Sequence, residues 1–415
     1  MMRQRLSFLA SALLRASFLS FLLSACSSSP VSPTSASPAT PGIIIPTPPA
    51  CTAIQVEPTP GSDAPSLFVP ESATDHVRGT ESPLITITEY SDYQDLRSGL
   101  LAKVVDQLLE EHPNDLRVVS RIFPLISIND KAALAAQAAE AAGEQDKFWE
   151  MHQYLYAQQE NWINLSVEDF EQWLSAQASA LGLNVDQFQN DLKREDIVAK
   201  VQQAWEGGQK IGLPGTPLIL INGQIYGGPR DHNSLNDIIQ LMALGTRQYS
   251  SCPAVTVQQN KQYMATLHTE KGDIVIQLFA DKAPMTVNSF LFLVRDGWYD
   301  SITFHRVIPD LFAQTGDPSG TGKGNPGYYI VTEIHPSLTF DKPGMVAMVN
   351  SGPDTSGSQF FITYAPTTQY NGQYTIFGEV LSGIDVLKQL TPRDAQPGTD
   401  TPPGDKLINI TIEEK

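Results

Sequence analysis

The sequence predicts a multidomain chain: an α/β fold with a helical insertion, then a closed antiparallel β-barrel with two helices. Three observations carry this. Two strand-like runs, Leu84–Glu89 and Leu116–Phe123, enclose a helical pattern, and alanine-rich amphipathic segments then fill 130–205 before a further strand at Leu218–Ile221. From Tyr263 onward many short strand-like runs alternate with Gly/Pro loops, and only two helical stretches occur in about 150 residues, as in a barrel capped at its ends. Ahead of both lies a Ser/Pro/Thr tract that cannot bury a core.

A chain of 415 residues has room for two or three domains. The divisions we read are 1–25, a signal segment; 26–66, a tether; 67–245, the α/β domain; 246–262, a linker; and 263–415, the barrel. The net charge of −18 argues against nucleic acid, which demands a basic surface, and against a polybasic patch docking on anionic lipid.

Arg3, Arg5 and Arg15 precede a short apolar run, Ala16–Leu23, and then Leu23-Ser24-Ala25-Cys26. A basic region, an apolar core and small residues describe a secretory signal, too short to read as a membrane span. The L-S-A-C ending resembles a bacterial lipobox, which implies that Cys26 is lipidated and begins the mature chain. The alternative is an ordinary signal peptide with a chance cysteine. Lipid on Cys26 would anchor the protein, extracytoplasmic, to a bacterial cell membrane, each buried CH₂ adding about 0.8 kcal/mol. Residues 27–50 are almost uncharged and proline-rich, an extended tether at about 3.1 Å per residue. Of three cysteines, Cys51 and Cys252 then remain, flanking the α/β domain. They stand either as a disulfide tying its ends together or as two free thiols.

Within that domain a helix is expected from near Asp95, with Leu100, Leu101, Val104, Val105, Leu108 and Leu109 on one face. Gly215-Thr216-Pro217 leads into the strand Leu218–Ile221, a turn at Asn222-Gly223, a short strand to Tyr226 and a last helix to about Leu244. Glu89-Tyr90-Ser91-Asp92-Tyr93-Gln94 and Gly215-Thr216-Pro217 resemble the thioredoxin fold of DsbA-type disulfide oxidoreductases, matching the run before their CxxC and their cis-proline loop. Asp95-Leu96-Arg97-Ser98 stands where that family has its cysteines. Thiol exchange needs a thiolate at the helix start, so a redox-inactive domain is expected: either a peptide-binding surface around Thr216 and Pro217, or a spacer. His76, His112, His152, His232, His268 and His335 are scattered singly and are expected at surface or capping positions.

In the barrel, Tyr263–His268 and Asp273–Phe279 read as a hairpin turning at Lys271-Gly272, Pro284 opens a helix, and a second helix is expected over Ile384–Leu390. Phe304–Asp317 (FHRVIPDLFAQTGD) places Arg306 among Phe304, Val307, Ile308, Leu311 and Phe312. A cation beside an apolar cup suits a greasy ligand that carries a hydrogen-bond acceptor. No nucleophile sits beside a base and no cluster has metal-ligand spacing, so non-covalent chemistry without metal or other cofactor is expected.

That stretch and Asn350–Ile362 (NSGPDTSGSQFFI) resemble the cyclophilin family of peptidyl-prolyl cis-trans isomerases. So do LFADKA at Leu278–Ala283, GMVAMVN at Gly344–Asn350 and YTIFG at Tyr374–Gly378. The resemblance covers roughly 263–415. It implies Arg306 and Gln314 as catalytic residues, and Phe304, Leu311, Phe312, Val349, Asn350, Phe361, Gln369, Tyr370 and Tyr374 as substrate-binding. Leu311 stands where the family mostly has phenylalanine, Phe312 where methionine is frequent, and Val349 where alanine is usual. Tyr374 holds a position that is often histidine, and Gln369 one held by a tryptophan linked to ciclosporin binding. Retained activity and poor ciclosporin affinity are the expectations. The implied partners are proline-containing unfolded or exported polypeptides, with the membrane through the lipid anchor and no nucleic acid. The alternative is a catalytically weak peptide-binding chaperone or scaffold lipoprotein.

Overall fold

The structure, a computed structural model, describes residues 50–54, 68–394 and 402–415. The expected signal segment, Cys26 and most of the tether lie outside the described residues. The described residues form one compact unit.

A three-residue strand, β1 (Cys51–Ala53), opens the described chain. The α/β half then carries β2 (His76–Gly79), β3 (Ile85–Ser91), β4 (Leu116–Ile122), β5 (Leu218–Ile221) and β6 (Gln224–Ile225), ordered β2-β4-β3-β5-β6. β3 and β4 are parallel, joined by the crossover helix α1 (Leu96–Glu111), while β5 returns antiparallel to β3. Asp95 caps α1, its carboxylate accepting from the Arg97 N–H. Leu101, Val105 and Leu108 pack on Ile85, Ile87, Leu116 and Ile219, joined by Leu235 and Ile239 of α8 (His232–Gly245). The expected helix face is therefore mostly correct, but Leu100 is 64% exposed.

The insertion comprises α2 (Ala132–Gly143), α3 (Phe148–Ala157), α4 (Gln159–Trp162), α5 (Val167–Ala180), α6 (Val185–Leu192) and α7 (Glu195–Lys210). It has its own core, where Ala135, Ala138, Ala139 and Ala142 let helices approach the large rings of Trp162, Phe170 and Phe188. His152 departs from the surface expectation: it is 1% exposed, and its Nδ1 lies 3.0 Å from the Tyr93 hydroxyl.

The second half holds β7 (Tyr263–Thr269), β8 (Gly272–Leu278), α9 (Pro284–Arg295), β9 (Ile302–Thr303), β10 (Arg306–Ile308), β11 (Phe312–Thr315) and β12 (Tyr328–Ile330). β13 (Met345–Met348), β14 (Phe360–Thr363), β15 (Ile376–Ser382), α10 (Ile384–Leu387), β16 (Arg393–Asp394) and β17 (Lys406–Glu414) complete it. Ten of these strands form one sheet, ordered β16-β10-β11-β14-β13-β15-β8-β7-β17-β9. Among the described residues its end strands share no ladder, so the sheet is a curled half-barrel where a closed barrel was expected. Inside the curl, Ile274, Ile276, Phe290, Phe304, Phe360 and Phe377 form the core, closed on one side by α9.

The two halves are packed together. Leu244 of α8 is buried in the half-barrel's core, and Tyr249 packs against Phe292, Trp298 and Tyr328. Cys51 and Cys252 are bonded, with Cα atoms 6.0 Å apart. The bond does bracket the α/β half in sequence, but both ends sit on the other half, because β1 pairs antiparallel with β12.

Candidate active site

Strand register gathers the site. Asp394 on β16 faces Arg306 on β10, Arg306 faces Gln314 on β11, and Gln314 faces Phe361 on β14. Phe361 in turn faces Ala347 on β13, which faces Ile376 on β15. Directly opposed residues point to the same side of a sheet, so one row carries an acid, a cation, an amide and then apolar groups. Phe312, two residues before Gln314, joins the same side. Its ring centroid is 5.5 Å from that of Phe361 and 5.3 Å from the Arg306 guanidinium carbon. Phe340, Tyr370 and Tyr374 complete an aromatic cup around Phe361, with centroids at 5.9, 6.0 and 5.3 Å.

Arg306 is half-exposed, its Nε donating to Asp394 Oδ1 at 2.7 Å. Among the described residues this is the only hydrogen bond of its side chain. Gln314 is buried: its Nε2 donates to Gln359 Oε1 at 2.9 Å and lies 3.2 Å from His305 Nε2. Burial pushes the His305 imidazole down to about 4, so near neutrality it is uncharged and can accept that proton. Beside the row, Val349, Asn350 and Gln359 border a cavity of about 250 Å³ with Gly322–Asn325 and Tyr329. A larger cavity of about 530 Å³, lined by Tyr90, Arg121, Glu140 and Lys200, lies in the α/β half and shares no residue with this site.

Residues 264–412 match the family model described as cyclophilin type peptidyl-prolyl cis-trans isomerase/CLD. The peptidyl-prolyl cis-trans isomerase A of Mycobacterium tuberculosis is 42% identical over 180 residues, covering 39% of this chain and 99% of that protein. This chain belongs to the cyclophilin-type peptidyl-prolyl cis-trans isomerase family. Peptidyl-prolyl cis-trans isomerase CYP18-1 of Arabidopsis thaliana is 47% identical over 146 residues, 34% of this chain and 88% of that protein. A crystal structure of a Cryptosporidium parvum cyclophilin type isomerase, obtained in the presence of dipeptide ala-pro, is 34% identical, with a TM-score of 0.34 over 36% of this chain and 98% of that one. Residues 71–241 match a model described as thioredoxin.

In the cyclophilin half, Arg306, Gln314, Phe312, Phe361, Tyr370 and Tyr374 stand together, with Leu311 at the margin of the same apolar group and Val349 between cup and cavity. Phe304 is a correction: it is fully buried in the core within the curl, because it lies in the break between β9 and β10, where the strand alternation that would put it on the side of Arg306 is interrupted. Asn350 borders the cavity, but its side chain is occupied by the Gln373 carbonyl and the Gly352 N–H. Gln369 is exposed on a 3₁₀ turn, its carbonyl accepting from Gln373. Asp394, His305, Phe340 and Gln359 were missed as site residues. Gln359 lay inside the quoted motif, and His305 beside Arg306.

In the thioredoxin-like half, Asp95 sits at the start of α1 and accepts from Thr216 Oγ1 at 2.9 Å and Ser98 Oγ at 3.1 Å. The Thr216–Pro217 peptide is cis. Among the described residues no group of three or more His, Cys, Asp or Glu side chains is arranged to hold a metal ion.

Proposed function

We propose that this isomerase acts on exported polypeptides outside the cytoplasm, tethered through a lipid on Cys26, with Arg306 and Gln314 as its catalytic residues. The observation that carries the site is the shared row, which presents Arg306 at the edge of an aromatic cup. Rotation about an X–Pro bond is resisted by amide conjugation, with a barrier near 20 kcal/mol. Twisting returns the lone pair to the prolyl nitrogen, so a donor aimed there gains strength only in the transition state. Arg306 is permanently charged, and Asp394 holds it through Nε, so its terminal nitrogens are available to a substrate. Phe312, Phe361 and Tyr374 grip the proline ring while Gln314 accepts from or orients the substrate backbone. No bond is made or broken.

Exchange of a short X–Pro peptide followed by NMR, with the compact portion from Cys51 onward, tests this. Wild type should accelerate exchange and Arg306→Ala should abolish the acceleration. A folded wild type without acceleration would sink the reading. Mass spectrometry of the mature protein checks the acylated Cys26.

A second reading concerns the thioredoxin-like half, which we take to be redox-inactive and a binder of extended polypeptide. Asp95 fills the helix start where thiols would serve exchange, and exposed Leu96 and Leu100 supply an apolar margin beside the cis-proline loop. Arg306→Ala protein that still suppresses aggregation of an unfolded client would support it. Loss of both activities together would count against it.

A further inference from the structure

The loop 316–327 of the cyclophilin half is gathered from within by Asp317, fully buried, which accepts from Ser319 N–H at 2.8 Å and Gly324 N–H at 2.9 Å. The carbonyls of Gly322 and Gly324 both accept from Gln359 Nε2, at 3.1 and 2.9 Å. A carboxamide whose nitrogen already donates to two carbonyls has only its oxygen left to offer. Gln359 must therefore accept from Gln314, which turns the Gln314 nitrogen toward Gln359 and His305 and leaves its oxygen free. The polarity of a catalytic amide is thus set by two backbone carbonyls of this loop.

The outer side of the loop is held by residues that lie outside the cyclophilin-matched segment 264–412. Asp237 of α8 pairs with Lys323 at 3.4 Å. Leu244, also of α8, presses so closely that a Cβ on Gly324 would stand 2.6 Å from its Cδ2. Gln248 Nε2 donates to the Asn325 carbonyl and to Asn325 Oδ1, each at 3.1 Å. The Tyr249 N–H donates to the Pro326 carbonyl at 2.9 Å. Gly327, with φ +89°, admits that backbone where a Cβ would meet the Tyr249 oxygen at 2.2 Å.

We propose that the end of α8 and the segment after it form a positioning element for the isomerase site: Asp237, Leu244, Gln248 and Tyr249 set the loop whose carbonyls orient Gln359 and, through it, Gln314. The thioredoxin-like half is then part of the isomerase. None of these four residues reaches the Arg306 row, so they act as positioning residues. The inference rests on the reading of Arg306 and Gln314 as the catalytic pair.

The test uses the full chain as wild type, Gln248→Glu, Leu244→Ala and Arg247→Ala, with kcat and KM from NMR exchange and the side-chain amide signals of Gln314 and Gln359. Gln248→Glu is nearly isosteric but cannot donate to Asn325. Arg247 lies over Trp298 at the same junction and donates to the Gly297 carbonyl, with no hydrogen bond to the loop among the described residues, so its loss controls for docking in general. Misplaced catalytic groups cost rate steeply. Gln248→Glu and Leu244→Ala should lower kcat by about 3- to 30-fold with KM little changed, and should shift both amide signals. Arg247→Ala should leave kcat and both signals in place. The proposal is overturned if folded Gln248→Glu keeps wild-type kcat and amide signals, or if Arg247→Ala loses as much rate. Should Leu244→Ala fail to fold, Gln248→Glu decides alone. A wild type with no isomerase activity would defeat the catalytic reading instead, and the amide signals would still decide whether the segment positions Gln314.

Discussion

On the proposed catalytic role, Arg306 works through a geometry that lysine cannot copy. One nitrogen is engaged by Asp394 while the planar fork holds the others in fixed directions beside Phe312. Arg306→Lys keeps the charge but surrenders the fork, and kcat/KM should fall by about a hundredfold in the NMR exchange assay. Asp394→Asn should cost far less, about fivefold at most, because the pair is half-exposed on both sides and such pairs contribute about 0–1 kcal/mol. An Asp394→Asn loss as deep as that of Arg306→Ala would mean that the carboxylate does more than orient. At this scale the sequence was legible where local spacing and motif agreed, as for Arg306, Gln314 and Phe361. Phe304 misled because apolarity does not say which side of the sheet a residue faces. Asp394 was invisible because only the pairing of β10 with β16 brings it to Arg306 from 88 positions away.

Within the elements, β3 and α3 bury a titratable pair that periodicity could not reveal. Glu89 is 2% exposed, and burial pushes its carboxyl up to about 7, with Arg78 only partly offsetting this. His152, 4.0 Å away, is pushed down to about 3 by burial, so near pH 5 both are neutral and this is no ion pair. The two act oppositely on stability. Glu89, with its folded value raised, contributes stability that is full below its unfolded value of 4.5 and lost as pH rises through about 7. His152, with its folded value depressed, contributes stability present above 6.5 and lost as pH falls toward about 3. Between 6.5 and 4.5 the slopes should largely cancel in the wild type. Glu89→Gln removes one of them. The variant should exceed wild type by about 1–3 kcal/mol at about pH 8 and should lose stability steadily as the solution is acidified below 6.5. Urea unfolding followed by helical circular dichroism reads this directly, and parallel curves for the two proteins would refute it. The longer helices and strands were readable from apolar period, whereas the second helix of the barrel, expected over Ile384–Leu390, ends at Leu387. The open seam of the sheet was not, since which strands end the sheet is set by pairing between distant segments.

Across the whole molecule, the disulfide decides where the N-terminal segment is attached. That Cys51 and Cys252 bracket one half was readable from their order. That both lie on the other half was not, because it depends on β1 adding to β12, a contact with no local signal in three residues. The bond closes a loop of 201 positions, for which the chain-entropy model gives about 5 kcal/mol. Cys51→Ser with Cys252→Ser should therefore lower unfolding stability by up to about 5 kcal/mol and speed amide exchange in β1 and β12, whose remaining hold on each other is a short ladder. Activity should respond differently. The loop that orients Gln359 is gripped by Leu244 and Gln248, which the double variant leaves in place. A destabilised protein with kcat near wild type would separate the two fastenings: the disulfide for the N-terminal attachment, α8 for the site. On the proposed lipid tether, such a protein would also take up the membrane's pull at the start of the thioredoxin-like half instead of at β12. If the double variant instead loses rate in proportion to stability, the N-terminal strand, and not α8, is what holds the isomerase loop.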